Sequence, residues 1–288
     1  MMMNHPLEAT LARMRALNAY RKAELGAPLG AGWIAHTDLA PGAAWLEALI
    51  AATHARLRTR AAAIVGSALL QSYQWPLIST AIACYLLDRR VPDLSPANTR
   101  IHYTAEHEAD TLALLGGRFT TLPDDPAAEH QDATVVTDLA ALRAAVRIGI
   151  EAHLGVVIDH LCARLGCKPR GLWLNVTDAL AGNLVWVAQE RDPATSLAAL
   201  EGELDALICV PGSPLTSRKI GLIQLHHKQR SLIFPDRVTC CYSYKTDGGE
   251  YCSTCPHRTL EDRCERLLAY IAEEQAQQHG ATQEEVTA

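Results

Sequence analysis

The chain is 288 residues long, 49% hydrophobic and 20% charged, a composition that is globular and excludes a disordered protein. Its 26 Lys and Arg stand against 32 Asp and Glu, and the net charge of −6 argues against a general nucleic-acid binder. Such a length corresponds to about two domains and buries most of its apolar surface without disulfide staples.

Aromatic residues are only 5% while Ala and Leu abound, so helix is the expected element. Leu7, Leu11, Met14 and Leu17 recur at helical spacing and predict a first helix over 6–25. Pro41-Gly42 opens a second over 43–57. Residues 59–73 are almost wholly aliphatic and predict a core helix, and Pro76 then fits the first position of another, running to 90. Short strands are expected near 99–103 and 117–121. The polar, Pro-containing stretch 122–132 is the best internal boundary. A strongly amphipathic helix follows over 138–165 and stops at Gly166, with further helices over 172–189 and 201–207. Residues 218–225 and 231–238 alternate and predict a hairpin turning at Lys228-Gln229-Arg230. Thr259 to Asp262 resembles a capping box, with Asp in place of Glu or Gln, ahead of a helix to about 278. Three regions result: a mainly helical 1–125, a helical 126–236 ending in the hairpin, and a C-terminal 237–288.

The N-terminal residues show neither a basic nor an apolar segment of a signal peptide. The longest apolar stretch, about ten residues over 61–70, is far short of the roughly 18 that a membrane span needs. The expectation is a soluble, cytoplasmic protein with reduced thiols.

Cysteine placement carries the functional signal. Of nine cysteines, Cys84, Cys162, Cys167 and Cys209 are scattered in apolar contexts and read as small core residues. The other five fall within residues 240–264. Cys240, Cys241, Cys252 and Cys255 form the pattern C-C-x10-C-x2-C, with Pro256 directly after the last and Gly248-Gly249 allowing the intervening loop to reverse. Four thiolates this close in sequence can converge on one metal centre. Neighbouring side chains of an extended strand point to opposite faces. The adjacent pair therefore needs a turn in the backbone, or its two sulfurs reach different irons of a binuclear cluster. A zinc ribbon uses two C-x2–4-C knuckles and this cysteine cluster has one, which favours [2Fe–2S] while leaving a structural zinc site open. Cys264 reads as a bystander on the following helix.

The pattern resembles the FhuF-type ferric siderophore reductases. Arg237-Val238-Thr239 ahead of the pair, the segment Leu172-Trp173-Leu174-Asn175-Val176-Thr177-Asp178 and the turn Leu94-Ser95-Pro96-Ala97-Asn98 are similar to segments of that family. The resemblance implies a [2Fe–2S] cluster on Cys240, Cys241, Cys252 and Cys255, in an α+β, mainly α-helical protein with a small C-terminal iron–sulfur module. It implies one-electron reduction of a ferric siderophore, of hydroxamate type, with release of Fe(II) in the cytoplasm. The electron would come from a ferredoxin or flavodoxin, since no nucleotide or flavin motif is visible. The alternative is a non-catalytic module, either an iron–sulfur sensor or carrier or a zinc-stabilised binding protein. Neither nucleic acid nor a membrane span is expected.

Residues 218–263 carry eight Lys or Arg against five Asp or Glu, which leaves −9 for the rest of the chain. Arg218, Lys219, Lys228, Arg230, Arg237 and Lys245 would raise the cluster potential or steer an acidic donor or anionic chelate, or are ordinary hairpin charges. His153 and His160 share a helix face, and His107, Glu108 and Asp110 form a polar group; both read more simply as structural. His226-His227 in the hairpin are candidates for hydrogen bonding near the cluster. Trp75, Trp173 and Trp186 read as core anchors.

Overall fold

The computed structural model describes residues 5–217, 219–228 and 230–286, with backbone alone from 274 onward. Arg218 and Gln229, expected at the hairpin, lie outside the described residues.

Helix α1 (Pro6–Leu17) starts where His5 Nδ1 accepts the Leu7 N–H at 3.1 Å. It stops eight residues earlier than periodicity predicts. Asn18 turns extended, its side-chain oxygen accepts the Tyr20 N–H at 3.0 Å, and the chain enters strand β1 (Lys22–Leu25). Helix α2 (Ala44–Leu57) ends at Arg58 in the left-handed region.

The expected break before Pro76 does not occur. Residues 62–88 form one helix, α3 (Ala62–Asp88), with Pro76 inside it. Proline removes one backbone bond and crowds the preceding turn. Apolar residues on both sides of Pro76, from Ile64 to Leu86, are buried around the whole helix circumference, and their burial outweighs that cost.

Helix α4 (Leu139–Leu165) has the expected limits. Asp138 Oδ1 accepts the Ala141 N–H at 2.8 Å, and Gly166 closes the helix at φ 71. Helices α5 (Pro169–Arg191), α6 (Leu197–Ile208) and α7 (Leu260–Val286) complete the helical set. Strands β2 (Trp33–Ile34), β4 (Thr99–Tyr103) and β5 (Ala109–Leu114) join β1 in a sheet of order β1-β5-β4-β2, β1 running parallel to β5 and the rest antiparallel. Strands β3 (Val91–Pro92), β6 (Phe119–Thr121) and β7 (Ala133–Val135) form a second sheet. Strands β8 (Gly221–His227) and β9 (Arg230–Asp236) form the expected hairpin. The chain is thus α+β and mainly helical.

Helices α3 and α5 lie along each other at the centre, with α1, α2 and α4 against α3, α6 against α4 and α5, and β9 against α5. A continuous apolar core runs from Leu7 to Ile233. Beyond it, Phe234, Leu267 and Ile271 make a small separate cluster that seats α7 on the hairpin. Among the described residues, no helix is long and apolar enough to cross a membrane.

Candidate metal centre

Strand β9 delivers the chain to the cysteine loop across the middle of α5. There Asp178, 7% exposed, receives the loop. Its Oδ1 accepts the Val238 N–H at 2.8 Å, and its Oδ2 accepts the Thr239 N–H at 3.0 Å and the Arg237 Nε–H at 3.4 Å. Burial pushes this carboxyl up to about 6, against the three donors, which pull the other way. Directly after the adjacent cysteines the backbone turns. Tyr242, at φ 60, is left-handed, and a 3-10 turn over Ser243–Lys245 follows. The Tyr242 N–H folds back onto Cys240 Sγ at 3.2 Å.

The four thiols meet as two pairs. Cys241 and Cys252 have their sulfurs 3.9 Å apart in a shared hydrogen bond, and both are half-buried. Cys240 and Cys255 are buried and neighbour each other; burial first, then the charges of Cys255 and Cys241, push Cys240 up. The bond with Cys252, the Ser243 N–H and Arg237 take Cys241 down to about 5. Arg237 Nη1 donates to Cys252 Sγ at 3.7 Å. One guanidinium therefore links the buried carboxylate to the sulfurs.

The segment entering α7 clamps the other limb of the loop. Arg258 donates to the carbonyls of Tyr251 at 2.7 Å and Cys252 at 3.0 Å, and to Asp262 Oδ2 at 2.6 Å. Arg263 pairs with Asp236 at the end of β9. Gly249 packs so closely that a Cβ there would stand 1.8 Å from the Ser243 carbonyl oxygen, which excludes any side chain.

Residues 67–214 match the family described as "Ferric iron reductase FhuF-like transporter", just over half of the chain. The chain belongs to the FhuF-like ferric iron reductase family. Residues 237–257 match the FhuF 2Fe-2S C-terminal domain, and they coincide with the loop that Asp178 receives. The cofactor of this FhuF-like chain is a [2Fe–2S] cluster. At family level it is an oxidoreductase acting on ferric iron. No curated protein matches it.

The thiols of this FhuF-like chain fit that group better than they fit zinc. Tetrahedral zinc at about 2.3 Å from each sulfur sets all four sulfurs about 3.8 Å apart. Among the described residues no three cysteine sulfurs lie within 4.8 Å of one another, so the thiols stand as two pairs. The grouping that does meet this criterion, His5, His130 and Asp132, is a hydrogen-bonded set. Both Nδ1 atoms accept backbone N–H groups, from Leu7 and Asp132, so each Nε2 carries a proton and offers no lone pair.

Beside the loop lies a cleft of about 1010 Å³, continuous through Trp75, Trp186, Phe234 and Thr254 with a recess of about 280 Å³. Trp75 and Trp186 are lining residues here, their ring centroids 6.4 Å apart, and Trp186 is 43% exposed. This corrects their reading as core anchors; only Trp173 packs on the core. Gly182 lies beneath the Trp186 ring on α5.

The remaining candidates sit elsewhere. His226 and His227 pair with Ser231 and Arg230 at the turn end of the hairpin, about 20 Å of strand from the loop. His153 is a core residue, bonded to Tyr73 Oη at 2.7 Å and the Leu94 carbonyl at 2.8 Å, and burial pushes it down to about 4. Asp110 pairs with His102 and Lys22. Cys84 is buried, and its thiol is pushed up to about 12 by burial. Cys162 and Cys167 have their sulfurs 3.6 Å apart against Gly66. Cys209, expected in the core, is exposed at the end of α6 and hydrogen-bonds Asp205.

Proposed function

We propose that this chain reduces siderophore-bound Fe(III) to Fe(II) in the cytoplasm, with Cys240, Cys241, Cys252 and Cys255 as the ligands of its cluster. The observation that carries this reading is the meeting of all four thiols on a loop that borders an open aromatic cleft. Cys241 and Cys252 would hold one iron and Cys240 and Cys255 the other, so the adjacent cysteines serve different irons. When bound, the cluster supplies electrons singly.

The protein's own groups set the conditions. Arg237 places positive charge and an N–H against the Cys252 sulfur, which favours the reduced, more negative state. Asp178 fixes the guanidinium and the loop backbone. Burial of Cys240 and Cys255 keeps water from that pair, and the half-exposed Cys241 and Cys252 face outward. Exposed Lys219, Lys228 and Lys245 suit an acidic ferredoxin- or flavodoxin-type donor, the source of the electron.

Ferric iron is hard and is held firmly by anionic oxygens; ferrous iron is held weakly, so one electron releases it. Charge favours a hydroxamate chelate. Three hydroxamates neutralise Fe(III), whereas three catecholates leave −3. In the cleft and its recess Arg21 pairs with Glu190 and Arg237 with Asp178. These four charges cancel and leave Arg230 as the remaining charged side chain of the lining, a near-neutral surface that suits a neutral ligand better than one of −3.

The test is anaerobic purification followed by reaction. The expected protein is reddish, with two irons and two sulfides per chain, and its reduced form is reoxidised by a ferric trishydroxamate as an Fe(II)-specific dye develops colour. Colourless protein containing one zinc, or a reduced cluster that no ferric chelate reoxidises, would sink the reading.

A further inference from the structure

We infer that the ferric chelate sits in the cleft between α5 and β9, its iron toward Thr254 and its organic body across Trp186 and Trp75. The inference rests on the reductase reading and adds the seat of the substrate. Three independent observations converge on it.

The first is position. Ser253 and Thr254 line the cleft, and they are the two residues between Cys252 and Cys255. An occupant of this cleft touches the cysteine loop itself, so the electron has only a short gap to cross.

The second is the aromatic surface. Trp186 leaves 43% of its surface exposed, although tryptophan has much to gain from burial. Its ring is tilted 59° from that of Trp75, so the two open as a wedge, and Phe234 lines the same cleft and recess. A cleft of about 1010 Å³ has the size of a drug-sized ligand site.

The third is a pair of buried acceptors. Gln74 and Asn183 line the recess and are 2% and 1% exposed. Their nitrogens are committed, to the Asn175 carbonyl at 3.4 Å and the Ala179 carbonyl at 2.9 Å. Their oxygens, Gln74 Oε1 and Asn183 Oδ1, have no protein partner. Buried acceptors are normally bonded. Both residues line the recess, so its occupant is the group placed to supply an amide N–H or hydroxyl to these oxygens.

The chemistry at this seat is the transfer already described: one electron passes to chelated Fe(III), giving Fe(II), and no bond of the organic ligand is made or broken. The cleft contributes binding and distance only.

The experiment uses a gallium(III) trishydroxamate, which has the shape and charge of the ferric complex and accepts no electron. Calorimetric titration of the cluster-loaded wild type should show binding, and Trp186→Ala should weaken it about 10-fold or more while leaving the visible spectrum of the cluster unchanged. With the ferric chelate the same variant should raise KM more than it lowers kcat. Hydrogen exchange on the wild type gives a readout free of any variant: the gallium chelate should slow exchange at residues 231–234 and 253–254. Equal affinity of Trp186→Ala and wild type, or protection confined to another face, overturns the seat while reduction of the ferric chelate by wild type keeps the reductase reading. Failure of wild type both to bind the gallium chelate and to reduce the ferric one overturns the reading beneath it.

Discussion

Asp178 is a single buried carboxylate through which α5 holds the cysteine loop, and its replacement has a calculable effect. Asp178→Ala removes the acceptor of two backbone N–H groups and the partner of Arg237. Each charge-assisted bond contributes about 1.5–3 kcal/mol. They do not add, and breaking one side of a buried ion pair costs about 3–5 kcal/mol in all. Opening of the loop should therefore become about 100- to several-thousand-fold more frequent, at 1.4 kcal/mol per factor of ten. Asp178→Asn keeps one acceptor oxygen and loses the charge, so about 2 kcal/mol, or roughly 30-fold, is expected. The assay is hydrogen exchange at the Val238 and Thr239 amides, read together with iron and sulfide content. Both amides should lose protection in the stated order, Ala more than Asn, while the amides of α3 stay protected. Unchanged exchange at 238 and 239 in Asp178→Ala would refute the argument, whatever happened to activity.

Three other outcomes are expected. If the thiols serve the irons as two pairs, Mössbauer spectra of Cys241→Ser and Cys252→Ser should alter the same iron, and Cys240→Ser and Cys255→Ser the other; a shared pattern for Cys240→Ser and Cys241→Ser would refute the pairing. Arg237→Lys should lower the reduction potential by about 40 mV, the equivalent of one hydrogen bond of about 1 kcal/mol in a one-electron couple, as measured by anaerobic redox titration; no change would remove the guanidinium from the tuning of the cluster. His153 is held neutral, its pKa lowered to about 4 by burial from an ordinary value near 6.5. A histidine depressed in the folded state contributes stability that is fully present above about 6.5 and is lost as pH falls toward about 4, here up to about 3 kcal/mol. Denaturation at pH 7 and pH 4.5 should show this loss in wild type and its absence in His153→Gln, and an NMR titration of the imidazole with a midpoint near 6.5 would contradict it.

What could be read in advance and what could not divides along physical lines. Helix α4 was legible because its limits are local: an Asp cap, apolar periodicity and a terminal glycine. The thiol pattern was legible for the same reason, being a spacing within sixteen residues. Pro76 misled because a local rule, proline at a helix start, lost to burial on both flanks, which only the tertiary fold supplies. Strand β5 was missed because Ala109, Asp110 and Thr111 carry no strand-like run; pairing with β4 and β1 makes it a strand. Asp178 stood within a segment that resembled the family, yet its role depends on amides 60 and 61 positions further along the chain. The clamp made by Arg258 is not legible in the sequence because its targets are backbone carbonyls, which have no sequence signature. The tryptophans of the cleft read as core in the sequence because composition cannot tell a covered aromatic from an open one.

The small core of Phe234, Leu267 and Ile271 belongs to the hairpin and α7, and the aromatic packing of the loop over 237–259 is internal to it, Tyr244 against Tyr251 and His257. What holds that loop is polar: one carboxylate, two arginines and a tight glycine. Polar ties of this kind release locally without melting the helices behind them. Folding and metallation are therefore separable events in this molecule. The apolar core of the helical body is complete without the loop, so the cluster can be assembled on a chain already folded.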